Sequence, residues 1–169
     1  MKLVLSNINQ LKEILDLVNE AYRGEEGWTR ETDIVAGNRA TPEQIKSAIE
    51  DPDAHLLVYL DNGSVRSCVC LEQKNEKAYI GLFAVCPWLQ GKGIGKQVLS
   101  SAQAYAVQEL AVKKFVMTVV SARQELISYY ERRGFERTGK VEDYPICCAV
   151  GTPKVEGLTI EYLEKDAYV

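Results

Sequence analysis

Apolar residues recur along this chain in two rhythms. Ile8, Leu11, Leu15, Val18 and Tyr22 follow one another at helical intervals. Asn7 stands before them with Gln10 three residues on, which is capping-box spacing. A second helix is expected over TPEQIKSAIE, with Thr41 as N-cap, Pro42 in the first turn and Gln44 closing the box. The other rhythm is that of strands. HLLVYLDNGSVRSCVCLE reads as a hairpin that turns at Asp61-Asn62-Gly63. KAYIGLFAV is apolar almost throughout and reads as a central strand. KLVL at residues 2–5, KFVMTVV, FERTGK and LTIEYLEK supply further strands. A long helix from about Gly93 to Ala111 carries Ile94, Val98, Leu99, Ala102, Tyr105, Ala106 and Leu110 on its apolar side. QELISYYERRG reads as a short helix with Gly134 at its C-cap.

The order of elements is therefore β-α-α-β-β-β-α-β-α-β-β. A long helix between two apolar strands implies a right-handed parallel crossover, while the hairpins imply antiparallel pairs. The expected result is a mixed, twisted sheet with helices on both faces, in one domain spanning residues 1–169. Residues 23–40 form a polar, glycine-punctuated connection, and residues 145–155 follow neither rhythm.

Composition narrows the function classes. The mixture of 46% hydrophobic and 26% charged residues is that of a globular chain. A net charge of −4 argues against a general nucleic-acid or anionic-membrane binder. No stretch approaches an apolar membrane span or a signal peptide, so the expected location is cytoplasmic. The five cysteines are an odd count, and reduced buried thiols are the expectation. Cys68 and Cys70 alternate as on a strand, with both sulfurs on one face. Neither they nor the adjacent Cys147 and Cys148 have zinc-site spacing, and His55 is the one histidine, so no metal is expected.

The stretch VCPWLQGKGIGKQVL, residues 85–99, carries the candidate chemistry. Gly91, Gly93 and Gly95 alternate with Lys92 and Ile94 just where a helix begins. Three phosphate-binding patterns compete there. The nucleotide P-loop fails because Gly95-Lys96 is followed by Gln97 and preceded at the required glycine by Gln90. The dinucleotide fingerprint fails because Lys96 stands where it needs a glycine. The pattern [QR]-x-x-G-x-[GA] is met by Gln90, Gly93 and Gly95. Glycines let backbone N–H groups turn toward a pyrophosphate, and the helix N-terminus adds partial positive charge. A tight strand-to-helix turn is the plainer alternative.

YIGLFAVCPWLQGKGIGKQVL resembles motif A of the GNAT superfamily of N-acetyltransferases, and LISYYERRGFERTG resembles its motif B. The resemblance runs from the first strand to the last and is loose over residues 23–40. It implies a GNAT-like mixed, twisted central sheet of about seven strands flanked by about four helices. It implies acetyl-CoA as cosubstrate, with its pyrophosphate on the backbone of Gln90, Gly91, Lys92, Gly93, Ile94, Gly95 and Lys96. The pantetheine arm would pair with Phe83, Ala84 and Val85 where their strand splays at a bulge. An N–H of Ala84 or Val85 would stabilise an oxyanion. Tyr130, four residues before Gly134, would protonate the departing thiolate. Its neighbour Tyr129 is expected to face the core.

Two departures from the family pattern matter. Arg123 stands where many relatives have asparagine; it would reach CoA, reach an anionic acceptor group, or lie at the helix start. Many relatives place a glutamate on the motif A strand, where Tyr79, Ile80 and Gly81 stand here. Glu72, on the adjacent strand, is the first candidate for the base, ahead of Glu25, Glu26, Glu31 and Asp33. Trp28 either walls the acceptor pocket or plugs the core beneath its loop. Cys86 follows Val85 and is expected to be a neutral buried thiol rather than a nucleophile. The reading is an N-acetyltransferase in which a primary amine, small or peptidic, attacks acetyl-CoA directly. The rivals are a non-catalytic acyl-CoA-binding or regulatory module and a lysine or N-terminal protein acetyltransferase. A homodimer formed through the final strand and tail is a further expectation.

Overall fold

The structure is a computed structural model that describes residues 1–168. Its strands are β1 (Val4–Leu5), β2 (Val35–Ala36), β3 (Ala54–Asp61), β4 (Ser64–Lys74), β5 (Lys77–Val85), β6 (Lys114–Val120), β7 (Glu136–Asp143), β8 (Thr152–Pro153) and β9 (Thr159–Asp166). Its α-helices are α1 (Leu11–Arg23), α2 (Pro42–Glu50), α3 (Ile94–Leu110) and α4 (Gln124–Glu131). The seven-stranded sheet has the order β1-β3-β4-β5-β6-β9-β7, and β2 pairs with β8 apart from it. The fold class expected from the chain is thus the one observed. The small β2–β8 pair was not expected, and it gives residues 145–155 part of their structure.

Local chemistry explains the helix starts. Asn7 accepts the Asn9 N–H, and Gln10 Oε1 accepts the Asn7 N–H at 3.0 Å, so a short 3-10 turn leads into α1. Thr41 and Gln44 make the same reciprocal pair ahead of α2. Helix α4 differs slightly from expectation: its C-cap is Arg132, and Gly134 takes φ +90° two residues later.

Two apolar layers hold the sheet. Leu57, Val69, Leu71, Ala78 and Ile80 face α3 and α4 with Val98, Leu99 and Ile127. Leu56, Val58, Cys68 and Cys70 face α1 and α2 with Ile14, Val18 and Ile45. Alternation puts neighbours on opposite faces, as a pleated strand requires. Emptying one such position, as Leu57→Ala would, costs about 2–5 kcal/mol.

In β5 the alternation breaks. Cys70 pairs with Gly81 but Cys68 pairs with Ala84, so three steps of β5 oppose two of β4. Leu82 absorbs the extra residue at φ +46°. Ile80 consequently faces α3 while Ala84 faces α1. The parallel pairing of β5 with β6 covers only Lys77 to Ile80 against Lys114 to Met117. Beyond the bulge the two strands part.

Candidate functional site

The β5–β6 fork opens into three adjoining cavities. The first, of about 290 Å³, lies between the glycine loop and α4, lined among others by Gln90, Gly93, Phe83, Arg123, Tyr129 and Tyr130. A second, of about 140 Å³, occupies the fork and shares Tyr22, Glu31, Phe83 and Tyr130 with the first. A third, of about 390 Å³, opens toward α2 and shares Arg39, Gly81 and Thr118 with the second. Together they make a passage past the fork, with the glycine loop on one side and α2 on the other.

The glycine loop leaves room for an anion. Gly91 and Gly93 take φ of +76° and +79°, and a Cβ at either would meet no atom within 4 Å. Their backbone is therefore turned outward over open space. Helix α3 has no side-chain cap, and the Gln97 N–H reaches Gly93 O at 3.2 Å. The N–H groups of its first turn are left for a ligand. Lys92 and Lys96 add charge nearby. Gly95 is there for a close approach: a Cβ would come 3.1 Å from the Tyr129 hydroxyl. The residues from Gln90 to Lys96 thus fit an anionic, phosphate-bearing group, and Phe83, Ala84 and Val85 continue from it along the unpaired side of β5.

Gln90 does more than its backbone role implies. Its side-chain oxygen accepts the Trp28 N–H at 3.0 Å, while its amide nitrogen donates to Thr29 Oγ1 and Val85 O. Arg123 holds the same loop from the other side, donating to Thr29 O at 3.0 Å and Trp28 O at 2.9 Å, with Nε on Glu125. Three of its five N–H donors are thus held by the protein, and it lines the first two cavities. Of the alternatives for Arg123, the helix start is met, since it occupies the N-cap position of α4. Trp28 is 42% exposed and packs on Tyr129 with ring centroids 5.4 Å apart. It walls the first cavity and plugs no core.

Tyr130 is 8% exposed and lines both the first cavity and the fork. Burial raises its pKa well above the ordinary phenol value, so it stays protonated. Tyr129 packs against the core as expected, but it is only half-buried and also lines the first cavity, with Arg133 stacked 3.4 Å over its ring. Helical geometry sends adjacent residues about 100° apart, so the pair can border the cavity from two sides.

The carboxylates sort differently from expectation. Glu72, with 54% side-chain exposure, sits 3.7 Å from Lys74 and lines only the third cavity, away from Tyr130. Glu31 lines the first cavity and the fork together with Tyr130, and is only 7% exposed. Arg23 fixes it through Nε and Nη2 at 3.1 and 2.8 Å. Glu25 and Asp33 are exposed, as is Glu26. Glu31 stands out by its burial. No local sequence pattern marks it out; Arg23, its partner, lies eight residues away.

The thiols stand aside. Cys86 is buried among α1 residues and borders none of the three cavities. Burial raises its pKa, as it raises those of Cys68 and Cys70 to about 12. Among the described residues no group of three His, Cys, Asp or Glu side chains is arranged to hold a metal ion. No helix among them is long and apolar enough to cross a membrane.

Comparison with known proteins bears on the same region. The acetyltransferase (GNAT) family matches residues 11–135. No protein of curated function matches the sequence. Among solved structures, an N-acetyltransferase from Staphylococcus aureus superposes with a TM-score of 0.75 at 18% identity, covering 99% of this chain and 98% of that one. A ribosomal-protein-alanine N-acetyltransferase from Escherichia coli gives 0.74 at 14% identity, with 99% and 94% covered. Spermidine N-acetyltransferase from Vibrio cholerae, in complex with CoA and spermine, gives 0.71 at 18% identity, with 98% and 95% covered.

Proposed function

The chain belongs to the acetyltransferase (GNAT) family, and from that premise we propose that residues 1–169 form one acyl-CoA N-acyltransferase domain acting on a small primary amine. One observation carries the reading. Beyond Ile80 the backbone of β5 has no partner in β6, and this open edge runs from the glycine cradle to a buried fork lined by Tyr130 and Glu31. Acetyl-CoA, when bound, supplies an acetyl group activated as a thioester. The backbone of Gln90, Gly91, Lys92, Gly93, Ile94, Gly95 and Lys96 would hold its phosphates, and Phe83, Ala84 and Val85 its extended arm. Arg123 serves indirectly, by holding the Trp28–Thr29 segment against the cradle.

Proton handling falls to two side chains. Tyr130 keeps its phenolic proton at Oη, where a leaving thiolate needs one. An amine with a pKa near ~10.4 arrives protonated at neutral pH, so a carboxylate must relieve it of a proton, directly or through water. Glu31 is better placed for this than Glu72, because it shares the fork with Tyr130. Cys86 takes no covalent part, being buried away from the fork, which favours direct transfer to the amine.

The passage also supports a small acceptor over a protein. The fork measures about 140 Å³, and Tyr144, Pro145 and Val150 are part of its lining. The Escherichia coli neighbour acts on a ribosomal protein by its name and the Vibrio cholerae one on spermidine, so the fold itself is compatible with either. Cytoplasmic location is proposed with the activity. Calorimetric titration with CoA, followed by a CoA-release screen of amines and peptides, tests the reading. Micromolar binding with turnover of small amines is the expected result; no CoA binding defeats it.

A further inference from the structure

Arg39 carries a charge that the protein leaves unbalanced. It lines both the fork and the third cavity. Among the described residues its guanidinium makes no hydrogen bond or ion pair; it stacks over the Tyr22 ring, 5.4 Å from the centroid. The other arginine of the fork, Arg123, and Arg23 behind Glu31 are both engaged. Arg23 is spent on Glu31, Gly37, Tyr144 and Val150, and Arg123 on Glu125, Trp28 and Thr29.

The placement of Arg39 is built, not incidental. The adjacent Ala40 is buried, and the Asn19 side chain grips its backbone twice. Ala40 N–H donates to Asn19 Oδ1 at 3.0 Å, and Asn19 Nδ2 donates to Ala40 O at 3.2 Å. Asn19 and Tyr22 both stand on α1, so one helix anchors the backbone and supports the side chain. A pre-organised arginine loses less entropy on binding, and its planar fork matches a carboxylate bidentately.

We propose that the acceptor is an amine that also bears a carboxylate, and that Arg39 binds this carboxylate while the amine enters the fork. The proposal rests on the acetyltransferase reading and narrows its substrate. One free cation matches a monoanion. The second charge of a phosphate monoester would stand uncompensated in a chamber that already contains Glu31. At the other end of the third cavity, Asp51 and Glu72 are exposed carboxylates. They disfavour an acceptor with a second acidic group reaching that far.

The test uses α-amino acids, each beside the amine left by removing its carboxylate, in a CoA-release assay with the whole protein. The expected kcat/KM is about 10- to 100-fold higher for the carboxylate-bearing member, mostly through KM. Arg39→Gln collapses that ratio toward unity, and Arg39→Lys, which keeps charge without the fork, gives an intermediate ratio. The proposal is overturned if wild type turns over the plain amines as well as the amino acids. It is equally overturned if Arg39→Gln slows both members of a pair alike. If no pair is turned over while CoA still binds in the calorimeter, the carboxylate proposal falls and the family reading stands. If CoA does not bind either, both fall.

Discussion

Arg23 grips Glu31 through a single oxygen: Nε and Nη2 both donate to Oε1, at 3.1 and 2.8 Å. Among the described residues Oε2 accepts from no group, and the residue lines the fork. A buried carboxylate with one oxygen held and one left over suits the base role proposed for it. Glu31→Gln keeps the shape and most of the contact to Arg23, which retains Gly37, Tyr144 and Val150 as acceptors. The expected outcome is a drop in kcat/KM of about 10²- to 10⁴-fold, the usual worth of general base catalysis. CoA affinity by calorimetry should not change. Full activity in Glu31→Gln would return the base role to Glu72.

The glycine cradle predicts a loss of another kind. Gly93→Ala meets no steric neighbour but forces a side chain into φ +79°. Left-handed backbone costs an L-residue about 1–2 kcal/mol. The new methyl would stand over the surface offered to phosphates. CoA affinity should fall by tenfold or more, with only a modest loss in Tm and little change in kcat at saturating acetyl-CoA. A variant with unaltered CoA affinity would move the phosphate site off this loop.

Tyr129 and Tyr130 are adjacent, and their environments differ. Burial keeps Tyr130 protonated far into the alkaline range, so its own ionisation should not appear in the activity profile below about pH 10. Tyr130→Phe should lower kcat about 10- to 100-fold with KM for the acceptor little changed. Tyr129→Phe removes a hydroxyl near Gly95 and should act on CoA binding more than on kcat. The reverse pattern, with kcat lost in Tyr129→Phe alone, would exchange their roles.

Much of the frame is legible in the sequence because its signals are local. The Asn7–Gln10 and Thr41–Gln44 boxes, the Asn62-Gly63 turn and the alternation of Cys68 and Cys70 involve neighbours only. The glycine loop is legible because positive φ demands glycine. The acceptor side is not legible, because long-range contacts decide it. Glu31 differs from Glu25 and Glu26 only through Arg23, which is itself fixed by Tyr144 and Val150 more than a hundred residues away. Glu72 is a candidate only as the acidic residue on the strand beside the family's base position, and its strand carries it past the bulge and onto the far cavity. Arg39 has no local pattern at all; it stands out because, among the described residues, it has no hydrogen-bond or ion-pair partner.

The buried thiols give a pH dependence whose sign follows from their position between β4 and α1. Cys68 and Cys70 titrate near 12 in the folded protein against an ordinary value of 9.0, with burial the main cause. Between these values the unfolded chain has released both protons and the folded chain has kept them. Folding then binds protons, so stability is complete below pH 9 and declines as pH rises toward 12. Two such thiols contribute a slope of ~2.7 kcal/mol per pH unit in that window. Tyr22, raised from 10.0 to about 12 by burial, adds to it in the upper part. Urea unfolding of wild type should therefore show falling stability from pH 9 to 10, while Cys68→Ala/Cys70→Ala starts less stable but follows a flatter curve. The exposed Cys147 and Cys148 should react with a disulfide reagent in the native protein, and the other three thiols only on unfolding. Parallel pH curves for the two proteins would mean that these sulfurs ionise in the fold as readily as in the open chain.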